Sequence, residues 1–107
     1  MILKQQAQWS GSDASVNGIR LHYYRTGGDK PQIVLLHGFS ENGLCWSRTA
    51  RALEQNYDVI MVDARGHGLS AGPATGYSQE LLTQDIVALI QELRLERPGL
   101  WGTQTEL

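Results

Sequence analysis

Apolar residues change their spacing several times along this chain, and each change predicts an element. Ile33-Val34-Leu35-Leu36 is an unbroken aliphatic run that leads straight into His37-Gly38-Phe39. It lacks the polar alternation of a half-exposed strand and reads as a strand buried on both faces, as in the centre of a parallel sheet. Upstream, Asn17-Gly18 favours the positive φ angles of a tight turn. Ile19-Arg20-Leu21-His22-Tyr23-Tyr24 then alternates as an exposed-edge strand does. The expectation is an antiparallel hairpin of residues 8–16 and 19–25. Thr26 to Pro31 is a turn cluster, with Pro31 placed where a strand can begin without its missing N–H.

After Gly38 the period lengthens. Leu44, Trp46, Ala50 and Leu53 among polar neighbours predict one amphipathic helix from about Gly43 to Gln55, with Asn56 as its stop. Tyr57 to Val62 reads as a second buried strand ending at Asp63, which makes a βαβ unit with a right-handed crossover. A glycine-rich loop follows from Asp63 to Ser70 and runs on loosely to Tyr77. Ser78 suits a helix N-cap and Glu80 its first turn. Leu82, Ile86, Leu89, Ile90 and Leu93 fall on one face of a helix ending near Leu95, where Arg94 and Arg97 suit the C-terminal end and Pro98 stops it. Gly99-Leu100-Trp101-Gly102 then begins a third buried strand.

Composition narrows the class without changing this layout. The 107 residues make one small domain or a piece of a larger one. A chain of this length buries only about 60–68 % of its unfolded surface. Nine Lys and Arg stand against eleven Asp and Glu, a net charge of −2, and no basic block supports a nucleic-acid or anionic-membrane partner. Cys45 is the only cysteine, which excludes an internal disulfide and favours a reducing compartment. Met1 to Gln8 has no apolar signal core, and no run approaches the length of a membrane span. A cytoplasmic protein is the expectation.

Candidate chemistry belongs at the C-terminal ends of the parallel strands, where sheets of this kind bind ligands. The loops at that edge begin with His37, Asp63 and Gly102, and glycines concentrate there. Several readings compete. Asp63, His67 and Ser70 could be imagined as a compact triad, though nothing in their spacing argues for triad geometry. His22, His37 and His67 show no recurrent metal-ligand spacing. Cys45 on an apolar helix face reads as a small core residue rather than a nucleophile, and Trp46 and Phe39 are as readily core as pocket wall. Gly66 and Gly68 form no phosphate loop, since neither Gly-Lys-Ser/Thr nor Gly-x-Gly-x-x-Gly follows a strand. No cofactor or metal is expected.

His37-Gly38-Phe39 after one buried strand, and Asp63-x-Arg65-Gly66-His67-Gly68-x-Ser70 after the next, resemble the α/β-hydrolase superfamily, nearest its small esterase-like and C–C-hydrolase-like branches. The likeness spans about residues 8–102, with 103–107 a divergent tail, so that 1–107 reads as a single partial domain. It implies the N-terminal part of an α/β-hydrolase fold: an antiparallel hairpin leading into a mostly parallel sheet, strand order 1-2-4-3-5, with flanking helices. It also implies serine-type hydrolysis of an ester or related small-molecule substrate. The Phe39 N–H would supply one oxyanion-hole donor, shaped by His37 and Gly38; such a donor is worth roughly 3–4 kcal/mol of transition-state stabilisation. Asp63, Arg65, Gly66, His67, Gly68 and Ser70 would form a structural loop.

The nucleophile elbow Gly-x-Ser-x-Gly should follow Trp101. Gly102 matches its first glycine, but Gln104 stands where the serine belongs and Glu106 where the second glycine must permit the turn. The family's acid and catalytic histidine come later than this sequence reaches. The expectation is therefore an inactive piece of a hydrolase, cut by an early stop, a frameshift or an incomplete gene model. The alternatives are a non-catalytic partner-binding or regulatory module, able to self-associate through an open strand edge, and a complete small enzyme using Asp63 and His67.

Overall fold

The computed structural model of the chain describes residues 9–37, 42–73 and 76–102. One five-stranded sheet organises it. Strands β1 (Ser10–Val16), β2 (Ile19–Arg25), β3 (Gln32–Leu36), β4 (Asp58–Val62) and β5 (Gly99–Gly102) lie in the spatial order β1-β2-β4-β3-β5, the order that the hydrolase resemblance implies. β1 and β2 form the antiparallel hairpin, in register from Ser10↔Arg25 to Val16↔Ile19. The chain turns between them with Asn17 at φ 49° and Gly18 at φ 79°, the left-handed pair that a two-residue hairpin loop requires. β2 joins β4 antiparallel, while β3 runs parallel to both β4 and β5.

Helices cover both faces of the central strands. Val34, Ile60 and Val62 point to one face with Ala14, Val16, Leu21 and Leu89, where helix α2 (Gln79–Glu92) packs through Ile86 and Ile90. Leu35, Val59 and Met61 point to the other with Trp9, against Trp46 and helix α1 (Ser47–Leu53). The unbroken aliphatic runs of β3 and β4 follow from this: successive side chains enter opposite cores.

Four sequence expectations need correction. The first predicted helix is two pieces, a 3-10 turn from Gly43 to Trp46 and then α1. The tighter turn is held at its start, where Asn42 Oδ1 accepts from the Leu44 N–H (2.9 Å) and the Gly43 N–H donates to Asp63 Oδ1 (2.6 Å). Cys45 consequently faces outward and is exposed, not core. The second helix stops before Pro98 is reached: with Arg94 at φ 57°, the Arg94 N–H donates to Gln91 O and the Leu95 N–H to Ile90 O, a Schellman cap with arginine in the glycine position. Finally, β5 is not buried. Leu100 is 56 % and Trp101 54 % exposed, on a strand at the edge of the sheet.

Ser78 does cap α2, accepting from the Leu81 N–H at 3.1 Å. A second clamp seats the start of β4. Asp58, buried, receives the Arg25 guanidinium through Nη2 (2.7 Å) and Nε (3.1 Å) and also accepts the Gly27 N–H (3.0 Å). Hydrogen bonding to Asp58 pushes the Arg25 guanidinium further above its ordinary range. Replacing Arg94 by glycine should relieve the left-handed strain at the α2 cap and stabilise the chain by about 0.5–1 kcal/mol in urea unfolding; an unchanged or lowered midpoint would contradict this account of the cap.

Candidate active site

The C-terminal ends of β3 and β4 lie side by side in parallel register, Leu36 opposite Val62. The residues that follow, His37 and Asp63, therefore start neighbouring loops at one edge of the sheet. Gly38 and Phe39, the other two residues of the expected oxyanion-hole turn, lie outside the described residues. His37 is buried, and its Nε2 accepts the Ala64 N–H at 2.9 Å. That bond needs a neutral ring with its proton on Nδ1. It ties the turn after β3 to the loop after β4.

Asp63 is fully buried. Its Oδ1 accepts the Gly43 N–H at 2.6 Å and its Oδ2 the Leu69 N–H at 2.9 Å. Two glycines make this approach possible. A Cβ at Gly68, which also sits at φ +52°, would lie 2.3 Å from Asp63 Oδ2, and one at Gly43 would lie 3.0 Å from Oδ1. The Asp63 backbone is engaged as well: its N–H donates to His22 O (2.9 Å), and its carbonyl accepts from Ser70 Oγ (2.6 Å). Ser70 Oγ in turn accepts the His22 N–H at 2.7 Å. The hydroxyl proton of Ser70 thus goes to a carbonyl and not to a histidine, so Asp63, His67 and Ser70 are close without forming a nucleophilic relay. The His67 ring lies 5.0 Å from that of His37, and its Nδ1 meets Arg65 O at 3.0 Å.

Arg65 leaves this loop on the other side. Its Nε and Nη2 grip Asp85 Oδ2 and Oδ1 at 2.7 and 2.8 Å, and Nη1 donates to Gly76 O at 2.6 Å. Both partners are buried, and Asn17 Nδ2 adds a bond to Asp85 Oδ1 at 2.9 Å. Hydrogen bonding to Asp85 outweighs burial and raises the Arg65 guanidinium above its ordinary range. One ion pair thereby links the loop, α2 and the β1–β2 turn. Gly66, at φ +78°, lies under the Tyr77 ring, which a Cβ would meet at 2.6 Å. Gly102 ends β5 opposite Leu36, at the same sheet edge as His37 and Asp63. Sequence reading missed Asp85. The signal was a carboxylate three residues after Leu82 and four before Leu89, inside the apolar stripe of α2. It also passed over Arg25 with Asp58. Among the described residues no group of three or more His, Cys, Asp or Glu could hold a metal ion, and no helix is long and apolar enough to cross a membrane.

Two measurements check this geometry. Asp63→Asn keeps the volume but turns an amide NH2 toward one of two N–H donors, and should cost about 2–3 kcal/mol in urea unfolding; a loss below about 0.5 kcal/mol would show that the carboxylate does not hold the loops. Burial, and then the charge of Asp63, raise the Tyr24 hydroxyl above its usual value of 10.0. Above that value the unfolded chain ionises before the folded one, so stability falls as pH rises. In Tyr24→Phe the fall above about pH 10 should be shallower; an identical slope would refute the assignment.

The family model described as alpha/beta hydrolase fold matches residues 31–103. A soluble epoxide hydrolase of Corynebacterium sp. (strain C12) is 35 % identical over 89 residues, 83 % of this chain and 31 % of that protein. N-formylmaleamate deformylase of Pseudomonas putida is 35 % identical over 94 residues, 87 % of this chain and 35 % of its own. Among solved structures, an epoxide hydrolase of Vigna radiata superposes with a TM-score of 0.87 at 30 % identity, over 92 % of this chain and 33 % of that one. The chain thus spans about a third of the length of the relatives it matches. With the strand order, the paired strand-end loops and these likenesses in agreement, the chain belongs to the α/β-hydrolase fold family.

Proposed function

We propose that residues 1–107 form one partial α/β-hydrolase domain, with 8–102 family-like and 103–107 divergent, whose role in the fold is to build half of an oxyanion hole. In this reading the fold serves serine-type hydrolysis of an ester or related small molecule. The Phe39 N–H, two residues after His37 in the sequence, is the donor assigned to the developing oxyanion. The observation that carries the reading is the His37 Nε2 bond to the Ala64 N–H. It braces His37 against the loop of Asp63, Arg65, Gly66, His67, Gly68 and Ser70, which acts structurally. A preorganised donor is effective because it needs no reorientation as charge develops.

The chain itself supplies no nucleophile in this reading. Gly102 is the remnant of the elbow, and Gln104 occupies the serine position. The relatives' names point to different bonds, epoxides in one case and an N-formyl group in another, so the substrate class stays at hydrolysable small molecules. The protein is taken as cytoplasmic, which its single cysteine supports, and as having no nucleic-acid partner, in keeping with its net charge of −2. A second reading, a partner-binding module, is favoured by the exposed β5, and includes self-association through that edge when nothing covers it.

The purified 107-residue chain should show no turnover of p-nitrophenyl acetate above buffer. Turnover that Phe39→Pro removes, by deleting the N–H, would overturn the claim that this chain lacks its nucleophile.

A further inference from the structure

Asn-Gly occurs at two places in the chain, Asn17-Gly18 and Asn42-Gly43. The dipeptide carries its own chemistry, because a glycine amide nitrogen, unshielded by a side chain, can attack the amide carbon of the preceding asparagine. The two copies are alike in sequence and opposite in structure.

At Asn42-Gly43 the reacting groups are engaged. Gly43 is buried, and its N–H donates to the buried Asp63 Oδ1 at 2.6 Å. Asn42 Oδ1 accepts the Leu44 N–H at 2.9 Å, which holds that side chain over the 3-10 turn. Attack there has to strip an amide proton beside a carboxylate and open a buried hydrogen bond.

At Asn17-Gly18 these restraints are absent. Both residues are exposed, in the two-residue loop that joins Val16 to Ile19. The Gly18 N–H donates to no group among the described residues, and nothing lies within 4 Å of the place a Gly18 Cβ would take. Such a loop opens locally without disturbing the core. One bond holds the Asn17 side chain: Nδ2 donates to Asp85 Oδ1 at 2.9 Å, on the carboxylate that Arg65 grips through Nε and Nη2.

We propose that Asn17 is a self-modification site, which deamidates through Gly18 and thereby weakens the tie between the β1–β2 turn and the Arg65–Asp85 pair. The Gly18 nitrogen loses its proton to solvent base and bonds to Asn17 Cγ. The Cγ–Nδ2 bond breaks, Nδ2 leaves as ammonia, and a succinimide ring closes. Water then adds to either ring carbonyl; opening at Cγ gives aspartate, and opening at the backbone carbonyl gives isoaspartate. In sum an amide and water become a carboxylic acid and ammonia, with nothing oxidised or reduced.

The product puts an acceptor where Asp85 had a donor. Two carboxylates then face each other across the span of the former hydrogen bond, and their repulsion pushes the turn away from α2. Isoaspartate also lengthens the backbone of a two-residue loop, which spoils the Val16↔Ile19 pairing. Because Arg65 belongs to the glycine loop of the candidate site, a slow one-way change at an exposed turn reaches that loop. This holds whatever bond the fold hydrolyses.

The test incubates the 107-residue chain in warm, mildly alkaline buffer, folded and in urea, and follows both sites by peptide mass. In the folded chain Asn17 should convert at least tenfold faster than Asn42, whereas in urea the two should convert at similar rates. Asn17→Asp, which has the product's charge, should lower the urea midpoint below that of Asn17→Gly, which removes the amide without adding charge and suits the left-handed backbone at φ 49°. It should also speed amide exchange at Gly66, whose N–H donates to Ala71 O within the glycine loop, at least threefold. The site assignment is overturned if Asn42 keeps pace with Asn17 in the folded chain, if neither converts there over the time both convert in urea, or if the gap between them persists in urea. Equal midpoints for Asn17→Asp and Asn17→Gly would overturn the coupling to Asp85.

Discussion

The arrangement turns on one buried carboxylate. Asp63 lies at the end of β4 with no solvent exposure, and a charge there is tolerable only when hydrogen-bonded. Its donors are backbone amides of two different segments, Gly43 at the start of the 3-10 turn and Leu69 in the glycine loop. Satisfying the charge therefore brings both loops to the sheet edge at once. The same residue's backbone reaches β2 through His22 and Ser70. Remove the carboxylate and the two loops lose their common point, while the backbone contacts of Asp63 remain. Glycine at 43 and 68 is a consequence of this constraint, because a side chain at either place would occupy the space of the carboxylate.

Two ion pairs extend the same logic to the ends of the domain. Arg25 with Asp58 holds the entry to β4 beside the end of β2, and Arg65 with Asp85 holds the exit loop against α2. Apolar packing is non-directional and would tolerate small slips between these elements. A guanidinium fork on a carboxylate accepts one orientation, which sets the register of loop on helix. The two aliphatic cores supply most of the cohesion, and the three carboxylates decide how the pieces meet.

The sheet is unevenly protected. β3 and β4 are sealed between α1 on one side and α2 on the other, while β5 leaves apolar side chains in solvent. The sealed region is also where the candidate site sits, so the loops after β3 and β4 rest on a rigid base.

Much of the fold was legible from residue order. Apolar runs at 33–36 and 59–62, the Asn-Gly turn and the Ser78 cap each act over a few neighbouring residues, so their local signals survive into the structure. The His37 and Asp63 loops could be placed at one sheet edge because parallel strands align their ends. Long-range partners were not legible. Asp85 is 20 residues from Arg65, and Asp58 is 33 from Arg25; a lone acidic residue in a stripe or at a strand start names no partner. The split of the first helix, the outward turn of Cys45 and the exposure of β5 were hidden for the same reason. Each depends on which distant group arrives at a given surface, as Asp63 does at Gly43, or on how little of a strand the described residues cover, as at β5. Periodicity records the local chain; packing neighbours are a property of the assembled sheet.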